Sequence, residues 1–138
     1  MVRGTPSPST QSTESAARQP LRVVVIDDER DTVLTLVALL RDEGYEAQGV
    51  HDSREAVRVV QEFEADAAII DIAMPGLTGW DVARGIREAM GDKRPLLIAV
   101  SGEYTKSADR ALAGMAGFNH YLVKPCEVNV LLALLAKA

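Results

Sequence analysis

Residues 23–44 read VVVIDDERDTVLTLVALLRDEG, and this stretch decides the fold. Val23 to Ile26 form a β-branched run with no polar alternation, the pattern of a strand covered on both faces. The acidic turn Asp27-Asp28-Glu29 follows. Val33, Leu36, Val37 and Leu40 then recur at helical spacing until Gly44, after Glu43, supplies a stop signal. Strand, polar turn and amphipathic helix make one βα unit.

The same alternation continues along the chain. AQGV (47–50), AAII (67–70), LLIAV (96–100) and HYLV (120–123) predict four more strands, and the runs at 67–70 and 96–100 again lack polar alternation. Ala56, Val59, Val60 and Phe63 mark a second helix behind an Asp52 or Ser53 cap, and Val82, Ile86 and Met90 a third after Gly79. Ala108, Ala111, Leu112 and Met115 make a short, weakly apolar fourth helix, and residues 127–137 a fifth after Pro125. Five strands alternating with five helices imply an α/β fold, a parallel sheet with helices on both faces. No shorter repeat lies inside it. Residues 1–20 are rich in Ser, Thr and Pro and nearly free of large apolar side chains, so they read as a disordered tail or linker before a single domain at 21–138.

Composition excludes several classes of function. With 138 residues, 47% hydrophobic and 25% charged, the chain has room for one domain with one core. A net charge of −5 and the absence of clustered Lys and Arg argue against a nucleic-acid surface. Cys126 is the single cysteine, without an internal disulfide partner, and beside an apolar helix it reads as a small buried hydrophobe. No stretch approaches the length of a membrane span and the N-terminus lacks the apolar core of a signal peptide, so the expected compartment is the cytoplasm.

In an open parallel α/β sheet, functional groups gather at the carboxyl ends of the strands. Here strand one ends in Asp27-Asp28-Glu29, strand three in Asp71, strand four in Ser101 and strand five in Lys124-Pro125, whereas His51-Asp52 after strand two offers less. Carboxylates brought together repel and raise one another's proton affinity unless a cation sits among them. Mg²⁺ takes one or two protein carboxylates plus a phosphate oxygen, which suits Asp28 and Asp71, and Mn²⁺ is an alternative. Zinc is disfavoured, because His51 and His120 lie on different segments and Cys126 is alone. Lys124 can serve as a point charge for an anion beside the metal, and Ser101 can donate a hydrogen bond to it. The ligand implied is a phosphoryl group.

As a set, VVVIDDE (23–29), IIDIAMPGLTGWDVA (69–83), LLIAVSG (96–102) and GFNHYLVKP (117–125) resemble the receiver domains of two-component response regulators, over essentially all of residues 21–138. The resemblance implies a flavodoxin-like, doubly wound, five-stranded sheet of strand order 2-1-3-4-5. It implies Asp71 as the phosphoacceptor, with Asp28, Asp71 and the backbone carbonyl of Ala73 on the metal and Asp27 one shell further out. Ser101 and Lys124 match the family's phosphate-binding pair. Tyr121 matches the aromatic switch position that reorients as Ser101 swings toward the phosphate. The Lys124–Pro125 peptide is often cis in such domains. The implied partner is a sensor or hybrid histidine kinase, or a histidine phosphotransfer protein. A homodimer through the face of the fourth helix, fifth strand and fifth helix is a further implied assembly. The wording GFNHYLVKP before an apolar tail looks like receivers attached to hybrid histidine kinases.

Other classes fit less well. Phosphatases of the haloacid-dehalogenase type also use a strand-end Asp with Mg²⁺, but they need a second Asp two residues later, where this chain has Ala73. A flavin phosphate would want a Ser/Thr/Gly-rich cradle where the first loop reads DDERD. A pseudo-receiver serving only protein interaction is weakened by the complete acidic and basic set. Small Ala73, with Glu103 past Ser101, leaves water a path to a bound phosphoryl group. Trp80, beside Gly79, reads either as packing on the loop or as a partner contact. In helix five, Val128, Leu131, Leu132 and Leu135 can cover the sheet, while Val130 and Leu134 fall on a neighbouring stripe that would be a contact surface if exposed.

Overall fold

The computed structural model describes residues 20–92, 94–102 and 113–138. The expected tail, apart from Pro20, and Glu103, Ala108, Ala111 and Leu112 lie outside the described residues. The strands are β1 (Arg22–Ile26), β2 (Glu46–Val50), β3 (Ala67–Asp71), β4 (Leu96–Ser101) and β5 (His120–Val123). They form one parallel sheet in the order β2-β1-β3-β4-β5, the doubly wound, flavodoxin-like order. The helical segments are α1 (Arg30–Asp42), α2 (Ala56–Phe63), α3 (Gly79–Met90), α4, of which 113–116 are described, and α5 (Val128–Leu135), with a 3₁₀ turn at Ser53–Glu55 before α2.

The strand residues sort onto two faces with a period of two. Val23, Val25, Ala67, Ile69, Ile98 and Val100 pack with Val33, Val37 and Leu40 of α1 and Leu131 and Leu135 of α5. Val24, Ile26, Ala68, Ile70, Leu97 and Ala99 pack with residues of α2, α3 and α4. Both faces being covered, β3 is buried at all five positions, which is why its sequence is unbroken by polar side chains. Truncating a side chain such as Ile70 or Leu40, both fully buried, would cost about 2–5 kcal/mol.

The ends of the helices are specified locally. Gly44, at φ +96°, follows the α1 cap Glu43 as the stop signal predicts. Thr78 caps α3 in a reciprocal capping box: its hydroxyl accepts from the Asp81 amide, and the Asp81 carboxylate accepts from the Thr78 amide. Asp52 caps the 3₁₀ turn by accepting from the Arg54 amide, and Ser53 turns elsewhere. In α5, Leu131 and Leu135 are buried and Val128 and Leu132 partly so. The neighbouring stripe divides: Val130 is 43% exposed, while Leu134 packs at the edge of the core. The helix is rotated so that only one member of that pair faces solvent.

Candidate functional site

The period that sorts the core also assembles the site. Asp27 and Asp71 continue the alternation of Val25 and Ile69, on the side of the sheet that α1 and α5 cover. Lys124 continues that of Leu122, and its amide donates to the Ser101 carbonyl, prolonging the β4–β5 ladder. All three side chains line the mouth of a groove of about 700 Å³ whose walls include Leu36 and Leu39 of α1 and Leu131 of α5. Ser101 and Tyr121 have the opposite parity, on the α3 side of the sheet.

Carboxylate oxygens of Asp27, Asp28 and Asp71 lie within 4.8 Å of one another. Asp27 and Asp71 are each 5% exposed, and Asp28 is open to solvent. Lys124 Nζ lies 3.3 Å from Asp71 Oδ1 and 3.5 Å from Asp27 Oδ2, a single ammonium shared by two buried carboxylates. The other oxygen of Asp27 accepts from the Glu29 amide at 3.0 Å, which fixes its plane. The Lys124–Pro125 peptide is cis.

The balance of charge is unfavourable without a further cation. Burial, then the neighbouring Asp27, and more weakly Asp28, push the Asp71 carboxyl up to about 6, although Lys124 pulls the other way. Burial works against the charged form of Lys124, but Asp27 and Asp71 together outweigh it and hold the ammonium above its ordinary value. Three clustered oxygen donors of this kind, with one carboxylate driven toward protonation, fit a hard divalent cation such as Mg²⁺.

Asp71 sits as the last residue of β3, and the turn after it is tightly built. Gly79 N donates to the Ile72 carbonyl at 2.9 Å, so α3 begins against the strand end. A Cβ on Gly79 would lie 2.6 Å from the Asp71 carbonyl oxygen and 2.7 Å from Ile72 Cα, which only glycine avoids. Ala73 is exposed in this loop. Ser101 ends β4 at 5% exposure, opposite Val123. Tyr121 is partly buried with its ring 6.2 Å from that of Trp80, and Trp80 meets Phe118 edge-on at 6.1 Å. Trp80 therefore packs within the domain. Cys126 packs at the edge of the α1/α5 core, where burial pushes its thiol up. His51 is exposed in the loop after β2, and His120 opens β5.

The sequence reading missed Arg87 altogether and read Ser53 only as a possible helix cap. The Ser53 hydroxyl donates to the Pro75 carbonyl and accepts from the Leu77 amide, and the Arg87 guanidinium ties the loops before β4 and β5. Their partners lie 8 to 30 residues away, and no local motif announces them.

The family model of the response regulator receiver domain matches residues 23–136. The response regulator MprA of Mycolicibacterium vanbaalenii is 35% identical over 115 residues, covering 83% of this chain and 48% of that protein. MprA of Mycobacterium avium is 34% identical over 114 residues, with 82% and 48% covered. The chain spans about half the length of the curated relatives it matches. The chemotaxis protein CheY4 of Vibrio cholerae superposes with a TM-score of 0.79 at 27% identity, over 86% of this chain and 98% of that one. A CheY-like receiver domain protein from Methanospirillum hungatei shares the fold at a TM-score of 0.78 and 21% identity, over 86% and 93%.

Proposed function

Because the chain belongs to the response regulator receiver family, we propose that it is a phosphoacceptor switch in which Asp71 takes a phosphoryl group from a phosphohistidine partner. The observation that carries this is the shared ammonium: Lys124 Nζ lies 3.3 Å from Asp71 Oδ1, at an edge where three carboxylates converge. Residues 21–138 are the receiver and residues 1–20 its tail or linker. The donor is a sensor or hybrid histidine kinase, or a histidine phosphotransfer protein, acting in the cytoplasm. Among the described residues no helix is long and apolar enough to cross a membrane.

In the transfer, an Asp71 carboxylate oxygen attacks phosphorus, the P–N bond to the donor imidazole breaks, and an acyl phosphate remains on Asp71. Asp28, Asp71 and the Ala73 carbonyl would hold Mg²⁺, and Asp27 would support them from behind. When bound, Mg²⁺ neutralises charge on the transferring phosphoryl oxygens. Asp27 accepts from the Glu29 amide and from Lys124, and so aims the ammonium across the mouth of the site. Lys124 then pairs with the phosphoryl group. Ser101 donates a hydrogen bond to it, and Tyr121 follows, altering the α4–β5–α5 face and with it the binding of a partner or of a second copy. That coupling requires Ser101 to bind the phosphoryl group better in one state than in the other.

Intact mass after incubation with acetyl phosphate and Mg²⁺ tests the reading. Wild type gains ~80 Da, one phosphoryl group, while Asp71→Asn and wild type in EDTA gain nothing. An adduct that persists in Asp71→Asn overturns the assignment, and rapid turnover of acetyl phosphate without an adduct favours the phosphatase class.

A further inference from the structure

The loop between β3 and α3 carries the Ala73 carbonyl; besides the Thr78–Asp81 capping box and the buried Met74 side chain, hydrogen bonds hold it at three further places. At its start, Ile72 N donates to the Val100 carbonyl at 3.0 Å, and at its end Gly79 N donates to the Ile72 carbonyl at 2.9 Å. The third hold comes from another element. Ser53, in the 3₁₀ turn after β2 and only 3% exposed, donates its hydroxyl proton to the Pro75 carbonyl at 3.1 Å and accepts from the Leu77 amide at 3.0 Å. The chain bends closely around this hydroxyl: Gly76 adopts φ +82°, and a Cβ there would lie 3.3 Å from Ser53 Oγ. One buried oxygen thus uses both its donor and an acceptor site on backbone groups flanking Gly76, on a stretch too short to satisfy them itself.

We propose that Ser53 is a positioning residue for the metal, latching the β3–α3 loop so that the Ala73 carbonyl is presented beside Asp71. The proposal rests on Asp28, Asp71 and the Ala73 carbonyl being the Mg²⁺ ligands. Asp71 is set by β3 and Asp28 follows β1, but Ala73 lies between the anchored Ile72 and the latched Pro75, and its carbonyl direction depends on both. Removing the hydroxyl takes from the Pro75 carbonyl and the Leu77 amide the one fixed partner that ties them to the 3₁₀ turn, and in this exposed stretch water replaces it without holding the loop in place. Outer contacts of this kind change metal affinity without touching the ion.

The test is an Mg²⁺ titration of ¹⁵N-labelled full-length chain by NMR, on wild type, Ser53→Ala and Asp52→Ala. Asp52 caps the same 3₁₀ turn but makes its bonds to Arg54, so its loss loosens the turn and leaves the latch in place. In Ser53→Ala the Mg²⁺ dissociation constant rises roughly tenfold. The Leu77 amide of the metal-free protein loses its protection from exchange in the same variant, while Asp52→Ala stays within about twofold of wild type in affinity. Wild-type affinity in Ser53→Ala overturns the latch and leaves the phosphoacceptor reading standing, and so does equal weakening in both variants. A wild-type chain that does not respond to Mg²⁺ overturns both.

Discussion

At the amino ends of the strands, the Asp66 carboxylate accepts from the Arg22 amide and from Arg94 at 2.9 Å each. There the guanidinium of Arg87 donates to the carbonyls of Gly117, Pro95 and Gly91 and to Asn119 Oδ1, which in turn accepts from the Leu97 amide. At the carboxyl ends, three carboxylates cluster, two of them share the one ammonium of Lys124, and Asp71 is driven up to about 6. One end matches its polar groups within the chain. The other holds a surplus of negative charge that folding alone would not select. Unrelieved conflict of this kind concentrates where a fold serves function, and on the proposed reading the two ends divide the work between stability and chemistry.

The largest effect that can break this comparison is at the satisfied end. Arg87→Ala strips a charged donor from several loop carbonyls and should cost about 3 kcal/mol in urea unfolding, with labelling of Asp71 in the folded protein unchanged. A loss below about 1 kcal/mol would mean that the loops hold themselves and that this end is not where stability is concentrated.

At the conflicted end the metal-free protein should respond to pH in the opposite sense to an ordinary paired carboxylate. The folded Asp71 carboxyl lies near 6 against 3.8 for the free side chain, so its protonation favours the folded state. That stability is fully present below about pH 4 and is lost as pH rises through about 6, on the order of 3 kcal/mol across the window. Unfolding in EDTA at a series of pH values should show wild type losing this increment relative to Asp71→Asn. Parallel curves for the two proteins would show that Lys124 already balances the cluster.

The smallest effect lies on the element that joins strand end to helix. Thr78→Ala removes one half of the α3 capping box and should lower stability by about 1 kcal/mol, read as a shift in urea midpoint with an unchanged slope. A much larger loss would mean that the α3 start is held by its cap rather than by the close seat of Gly79 on Ile72.

Much of this was legible in the sequence because the signals are periodic and local. The unbroken apolar runs at 23–26, 67–70 and 96–100 declared strands covered on both faces, and each ended at the polar residue that the structure places at the carboxyl edge. Asp27, Asp28, Asp71 and Lys124 could be named because βα repetition sends successive strand ends to one side of the sheet. The Thr78-x-x-Asp81 box was also written locally and went unread, although its spacing is a recognised start signal.

What the tertiary structure alone decided is rotation and reach. The apolar pattern of α5 is nearly continuous, so periodicity leaves its angle open, and packing against α1 and the sheet turned Leu134 inward and left Val130 outside. The same is true of Ser53 and Arg87, whose hydrogen bonds run to backbone groups distant in the chain. Every residue carries the same backbone donor and acceptor whatever its side chain. Which amide or carbonyl a hydroxyl or guanidinium will meet is therefore written in no motif, and it exists only once the loops have been brought together.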